Sequence, residues 1–420
     1  MLPPARFRPP SGSLPSPSDP AVAGRFRRRG AVRGRSARPL ALLTAAAAVA
    51  TALAAAPGTA AADRAGDPGR DAGLRGKLEQ LVRTPGGPPG VIAVLQRDGE
   101  RQVLTAGTAE LGTGWPPRPG DRTRLASASK MYTGAVSLQL VEEGRLRLDD
   151  TLGRLLPRLP KAWSAVTLRQ LLDHTSGLPD YTSDAGFVRL VVEDPRRRFD
   201  PRRLLDFVAD EPLGFRPGTR YRYSNSDNIA VALIAEAVTG RPYEKLLAEL
   251  VYRPLDLRET GLPGGYRLPE PYLHGYDVDP PAAPEDVSEA LSASGVWASG
   301  GIVATPRDFN RFVRGYVGGR LVSGTVREAQ FTFRAGGASE PAGPGTNAAG
   351  LALFRYTTRC GAVYGHTGNF PGYTQFAAAT RDGRRSLTFT ISTQTNKTLK
   401  PELLAKVRAV QEDYVCALLR

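Results

Sequence analysis

Ser127-Ala128-Ser129-Lys130 opens a stretch in which Met131, Ala135, Leu138 and Val141 recur along one helical face and Gly144 ends the pattern. That spacing predicts a helix with Ser127 at its start. One turn separates Ser127 from Lys130, so the hydroxyl and the amine share a face near the positive end of the helix. A serine hydroxyl is a poor nucleophile near neutral pH, and a close, desolvated amine can take its proton once the amine pKa is lowered. Alone, the tetrapeptide fits equally well a capping serine followed by a surface lysine.

Two further motifs follow in order. Tyr223-Ser224-Asn225 precedes a second helical pattern with Ile229, Leu233 and Ala237 inward and Gly240 at its end. On an extended segment Tyr223 and Asn225, two residues apart, face the same way. Tyr223 could relay a proton and Asn225 hydrogen-bond a substrate amide; the plainer reading is a packed tyrosine and an Asn N-cap. His366-Thr367-Gly368 follows the apolar run Ala362 to Tyr364. His366 and Thr367 are expected at a cleft wall, with Gly368 letting a substrate backbone approach the strand. Together the three motifs point to an active-site serine hydrolase.

The rest of the chain sets the frame. With 420 residues, 41% of them hydrophobic, it can bury a sizeable core. The net charge of +15 suggests nucleic acid, but residues 1–62 hold nine arginines and one aspartate, leaving +7 for the remainder. No nucleic-acid partner is expected. That leader joins an arginine cluster to an apolar run from Leu40 to Ala56 and ends in Ala60-Ala61-Ala62. It reads as a secretory signal peptide cut after Ala62, its apolar run short of the ~20 residues of a spanning helix. An exported, extracytoplasmic protein, cell-wall associated or free and monomeric, with no stable membrane span after cleavage, is the expectation. Cys360 and Cys416 fit that compartment as a disulfide, two free thiols being the alternative. No His or Cys spacing suggests a metal, and no cofactor is expected.

Residues 63–73 read as a linker and 74–420 as the hydrolase domain. Val91 to Leu95 and Gln102 to Ala106 flank an Asp98-Gly99 turn, and Tyr373 to Ala379 and Ser386 to Ser392 flank Asp382-Gly383. Both are hairpins. Helical periodicity dominates from about 127 to 321, and Pro401 to Leu418 reads as a closing helix. The predicted fold is α+β: an antiparallel β-sheet flanked by helices, its strands from about 74–126 and 322–420, with a mainly helical lobe inserted between.

The motif set resembles the serine β-lactamase and penicillin-binding-protein superfamily, whose pattern is Ser-x-x-Lys, Ser-Asp-Asn and Lys-Thr-Gly. Tyr223-Ser224-Asn225 and His366-Thr367-Gly368 are similar to the class C branch, and above all to secreted D-alanyl-D-alanine carboxypeptidases with His-Thr-Gly. Leu172-Asp173-His174-Thr175-Ser176-Gly177-Leu178 and Pro217-Gly218-Thr219 resemble family segments, and the similarity spans about 74–418. The resemblance implies that Ser127 is acylated, that Lys130 and Tyr223 share the proton transfers, and that Asn225 holds the substrate amide. His366 would replace the lysine of Lys-Thr-Gly and support Tyr223 electrostatically. The backbone N–H groups of Ser127 and Asn369 would form the oxyanion hole. Thr367 and Gly368 would line the substrate, Trp297 would border the cleft, His174 would be structural, and Cys360 and Cys416 fall where those carboxypeptidases have a disulfide.

Two positions depart. Where the carboxypeptidases have an arginine and a threonine for the substrate's terminal carboxylate, this chain has Phe354 and Asn369, leaving Arg355 as the substitute. The expected substrate is a small molecule or peptide: a peptidoglycan stem peptide for a D-Ala-D-Ala carboxypeptidase, or a β-lactam. Esterase, β-lactamase and D-amino-acid peptidase activities on the same scaffold are the alternatives. A penicillin-binding sensor or wall-binding module that does not turn over is the reading outside catalysis.

Overall fold

The computed structural model describes residues 68–420. The leader at 1–62 and the first part of the expected linker, 63–67, lie outside the described residues. Helix α1, Pro68–Arg83, already covers 68–73, so that part of the expected linker is helical. The reason is packing: Leu74, Leu78 and Leu81 repeat at helical spacing and are buried under the sheet.

Eight strands build one sheet: β1 (Gly90–Arg97), β2 (Glu100–Gly107), β3 (Arg334–Ala335), β4 (Thr346–Gly350), β5 (Leu353–Thr358), β6 (Gly361–Phe370), β7 (Tyr373–Ala379) and β8 (Arg385–Ile391). Their order is β2-β1-β8-β7-β6-β5-β4-β3, with every pair antiparallel. Both ends of the domain therefore meet at the β1–β8 pair, as the two hairpins foretell. The first hairpin pairs Arg97 with Glu100, and Asp98 and Gly99 both take positive φ, 46° and 98°, as a tight turn that follows the strand twist requires.

Both faces of the sheet are covered. Leu387, Phe389 and Ile391 of β8 pack with α1 and with α5 (Pro401–Leu419). The alternate residues, Ser386, Thr388 and Thr390, are also buried. Helix α4 (Pro306–Val317) lies over them: Asn310 donates to Val94 O at 3.0 Å and accepts from Ser386 Oγ at 2.8 Å, and Thr388 Oγ1 donates to Pro306 O. A small hydroxyl face thus lies beneath a helix without stranding its polar atoms.

Between β2 and β3 the chain is mainly helical, with α2 (Ser129–Glu142) and α3 (Asn225–Thr239) in contact at its centre. The expected one-sided apolar face of α2 is corrected: Ser129 to Leu138 are all buried, because α3, the Trp297–Gly300 turn and the sheet enclose it. On α3 the expected inward Ala237 is exposed and Leu233 is only half-buried. Gly240 ends α3 in the left-handed conformation, φ 67°. No helix among the described residues is long and apolar enough to cross a membrane.

Cys360, in the turn between β5 and β6, is bonded to Cys416 on α5. Arg359 beside it pairs with Glu412 and Asp413 of the same helix. The bond closes a loop with a sequence separation of 56, for which chain entropy predicts about 4 kcal/mol of stabilisation. Replacing both cysteines by alanine is expected to lower the unfolding free energy by roughly that amount, read as a reduced midpoint in guanidinium melts; an unchanged midpoint would show that α5 docks equally well without the link.

Candidate active site

Ser127 sits in a 3-10 turn, Ala126–Ala128, that leads directly into α2. The turn is pinned from several sides. Leu125 N donates to Ile302 O at 2.9 Å, and Ser129 Oγ accepts from Ile302 N at 3.1 Å. Just upstream, the buried Arg124 guanidinium donates to the carbonyls of Ser288 and Tyr266 and lies 5.1 Å over the Phe370 ring at the end of β6. Ala126 takes a left-handed φ of 51°, a conformation that non-glycine residues hold only when their surroundings impose it.

Lys130 is 1% exposed. Its Nζ lies 2.8 Å from Asn225 Oδ1, 2.7 Å from Ser299 O and 3.2 Å from Ser127 Oγ. The first two can only accept. A neutral amine has two N–H groups to give them, which leaves its lone pair for the Ser127 hydroxyl. Burial lowers the amine pKa to about 7, against the upward pull of Asp180, Asp227 and Glu340. The amine is therefore poised to lose its proton near neutrality.

Tyr223 lies behind this pair, with Lys130 Nζ 4.9 Å from its ring centre. Its hydroxyl is buried without an aligned hydrogen-bond partner. Burial holds its pKa well above the usual phenol value, the Ser127 hydroxyl offsetting part of that rise, so the group stays protonated and can donate. His174 lies tilted against the Tyr223 ring, 4.5 Å between ring centres, and shares a 2.7 Å bond with the fully buried Asp227, which also accepts from Ser176 Oγ at 2.5 Å. Burial pushes His174 down to about 3 and Asp227 well up. A neutral His174 supports the tyrosine from behind, in line with a structural role.

On β6, His366 is 1% exposed, its Nδ1–H directed at Thr367 O at 2.5 Å and its ring edge-on to Phe354 at 4.9 Å. Burial, with Lys130 next, drives its pKa well below the ordinary value. Burial thus favours the neutral imidazole, whose ring centre lies 6.3 Å from that of Tyr223. Thr367 Oγ1 donates to Pro341 O at 2.6 Å, inside the protein. Pairing with β5 stops at Gly365, whereas pairing with β7 continues to Phe370. Residues 366–370 therefore have no strand partner on that side.

Gly368 has a different job from the one expected of it. A Cβ there would fall 2.2 Å from Leu125 O, 3.1 Å from Ala126 Cβ and 3.3 Å from Ala128 N. The backbone that approaches it closely belongs to the Ser127 turn, and this contact sets Asn369 beside that turn.

Three other residues land elsewhere than expected. Trp297 is 2% exposed, not at a cleft border; its Nε1 donates to Glu244 at 2.9 Å and its ring packs on Tyr243. It anchors the short helix whose Ser299 carbonyl holds Lys130. Arg355 lies 5.3 Å over the Phe333 ring and stands in register with Tyr364, its Nε buried without a hydrogen-bond partner. Asn225 has both ends of its amide occupied, Oδ1 by Lys130 and Nδ2 by Asp180 Oδ2 at 3.1 Å and Thr182 Oγ1 at 3.2 Å. Asp180 is the residue the motifs do not contain, and its backbone bond from Asn225 N at 3.2 Å ties the loop to α3. Its only sequence signal is the Leu178-Pro179-Asp180 turn after Gly177.

The family model described as Beta-lactamase matches residues 78–412. The chain belongs to the beta-lactamase family. Esterase EstB of Burkholderia gladioli is 30% identical over 327 residues, 66% of this chain and 81% of that protein. Penicillin-binding protein 4* of Bacillus subtilis (strain 168) is 26% identical over 295 residues, 67% of this chain but 63% of the relative, so the chain spans less than two thirds of its length. Among solved structures, a D-stereospecific amidohydrolase from Streptomyces sp. matches with a TM-score of 0.67 at 31% identity, over 77% of this chain and 94% of that one. D-amino acid amidase from Ochrobactrum anthropi SV3 matches with a TM-score of 0.73 at 24% identity, over 83% and 99%, a likeness of fold alone. The chain is a serine hydrolase of this family.

Two predictions follow from the geometry. Because Lys130 must be neutral to take a proton, kcat/KM is expected to rise with pH through a midpoint near 7; a flat profile from pH 5 to 9 would remove Lys130 as the base. Gly368→Ala is expected to displace the Ser127 turn and reduce acylation at least about tenfold, since backbone atoms block the methyl. Acylation at the parent rate, measured by stopped flow, would contradict the close contact.

Proposed function

We propose that this enzyme hydrolyses amide or peptide bonds of D-amino acids through an acyl-enzyme on Ser127, without requiring a terminal carboxylate on its substrate. The chemistry follows from the Lys130 arrangement. Ser127 Oγ attacks the carbonyl carbon while its proton passes to the neutral Lys130 amine. The developing oxyanion is met by the backbone N–H groups of Ser127 and Asn369. The C–N bond breaks as the protonated Tyr223 hydroxyl, recharged from Lys130, supplies a proton to the leaving amine. Water then attacks the ester, losing its proton to the same pair, and Ser127 leaves with a proton restored.

One observation carries the choice of substrate. Phe354 packs on His366, and Arg355 is stacked on Phe333, so neither supplies a cation for a carboxylate. The side chains that raise the Lys130 pKa are instead acidic: Asp180, Asp227 and Glu340. The similarity to the Streptomyces amidohydrolase supports the same reading. D-Ala-D-Ala carboxypeptidase action, implied by the motif resemblance, is the competing one. The basic, apolar leader and the Cys360–Cys416 bond support export of the chain.

The test is hydrolysis of D- and L-alanine amide, beside release of D-alanine from an N-acylated D-Ala-D-Ala peptide. Ammonia from the D-amide, little from the L-amide and a loss of at least about 10⁴-fold in Ser127→Ala are expected. D-alanine release from the peptide with the D-amide untouched would establish the carboxypeptidase instead.

A further inference from the structure

Helix α4 shows solvent little but arginine. Pro306, Asp308 to Asn310, Phe312, Val313 and Gly315 to Val317 are buried, and Arg307, Arg311 and Arg314 are left half-exposed. Arg311 Nη1 donates to Asp256 O and Oδ2 at 2.6 and 3.0 Å, and Arg320, just past the helix, donates to Pro254 O at 3.4 Å. Arg314, between them in the chain, has no ion pair or side-chain hydrogen bond among the described residues. Burial, and then the charges of Arg320, Arg311 and Arg101, lower its pKa. The acids on the neighbouring segments already have partners. Asp256 is shared by Arg258 and Arg311, and Asp98 pairs with Arg384 and Arg385. In the β7–β8 turn, which packs on the Arg314 carbonyl at Gly383, Asp382 accepts from Thr380 Oγ1 and Arg384 N.

The sheet under this helix holds a second unmatched group. Thr388 meets Pro306 and Ser386 meets Asn310, so α4 advances along β8 toward the end of β1 that carries Gln96. Ser386 stands in register with Gln96, and Gln96 with Arg101 of the edge strand β2. Directly opposed residues share a face, so Gln96 and Arg101 lie on the α4 side. Arg314 follows Asn310 by one helical turn on the same side, which brings it over that end of the two strands. Gln96 is 4% exposed, yet its Nε2 is buried with no hydrogen-bond partner. The two groups left unmatched here, the Arg314 guanidinium and Gln96 Nε2, are both donors. Buried donors of this kind are costly without an acceptor, and the acceptor that suits a guanidinium is an oxyanion.

We propose that Gln96, Arg101 and Arg314 form a binding site for a phosphate group, separate from the Ser127 centre. Guanidinium groups meet phosphate oxygens with paired N–H donors. A tetrahedral phosphate also presents oxygens in several directions, so it can face the helix and the sheet at once, whereas a carboxylate is planar. Arg311 and Arg320 add positive charge at the border. The row of Gln96 and Ser386 lies four residues along the strands from the row of Ile92, Thr390, Gln375 and Gly368, about 13 Å at strand rise. A phosphate held there leaves the nucleophile turn unobstructed. The same chemistry serves a free phosphate ion and a phosphodiester of an anionic polymer, and the experiment separates the two.

The full chain, Arg314→Gln and Gln96→Leu are melted at constant ionic strength while chloride is exchanged for inorganic phosphate, and again with poly(glycerol phosphate). The parent midpoint is expected to rise with the logarithm of ligand concentration. The apparent Kd should weaken at least about tenfold in Arg314→Gln, the scale of a lost charge-assisted hydrogen bond, and in the same direction in Gln96→Leu. In chloride alone Arg314→Gln should melt no lower than the parent, because it removes a charge that has no counterion. A rise with inorganic phosphate supports the site and assigns the free ion. A rise with the polymer alone, lost in Arg314→Gln, supports it and assigns a phosphodiester. A parent midpoint that neither ligand moves overturns the site and leaves Arg314 as a partner of the α4 dipole. A rise kept in full by both variants overturns it as well.

Discussion

A lysine amine sealed from water is the constraint on which the site depends. Charged, it would have to be desolvated at a cost of several kcal/mol; neutral, it needs acceptors for two N–H groups and a donor for its lone pair. Asn225 Oδ1, Ser299 O and Ser127 Oγ meet that need. Each partner is itself fixed by a separate part of the chain: Asn225 by Asp180 at the start of α3, Ser299 by the helix anchored at Trp297, and Ser127 by the turn ahead of α2. Three segments far apart in sequence therefore converge on one nitrogen. Much of the helical region can be understood as the scaffold that holds those acceptors in place.

The second constraint joins that scaffold to the sheet. At Gly368 the face of β6 meets the backbone of the Ser127 turn with no room for a side chain. Arg124 braces the same contact by lying over Phe370 while its guanidinium is held by the Ser288 and Tyr266 carbonyls. A buried arginine is tolerable because those carbonyls and the ring share its charge. Strand and turn are thereby held as one unit, which is what an oxyanion hole drawn from both requires.

Much of this was legible in the sequence, for physical reasons that also mark the limit. The Asp98-Gly99 and Asp382-Gly383 turns announced both hairpins, since turn chemistry is local. Ser127, Lys130, Tyr223 and His366 were legible because each lies in a short motif beside an element boundary, and the structure gathers them. Strands β3 to β5 were missed: β3 is two residues long, and Thr346–Gly350 carries few β-branched or aromatic residues. Asp180, the interior placement of Trp297 and the stacking of Arg355 on Phe333 depend on contacts between distant segments, which no local spacing encodes. Gly368 was recognised as a point of close approach, but which backbone approaches is a tertiary fact.

The same distinction separates the chain's overall charge from the field at its site. The sequence carries a net +15, yet the side chains that raise the Lys130 pKa are the acidic Asp180, Asp227 and Glu340. Net charge governs long-range behaviour and is screened by salt within about 10 Å, whereas a buried amine responds to the few charges near it. These carboxylates oppose the fall in the Lys130 pKa that burial drives, and the balance places it at about 7 rather than far below. An amine shifted much lower would be a weak base; one left unshifted would stay protonated. The acidic groups nearby therefore keep the lysine basic enough to take a proton from serine, while its burial keeps it from staying protonated.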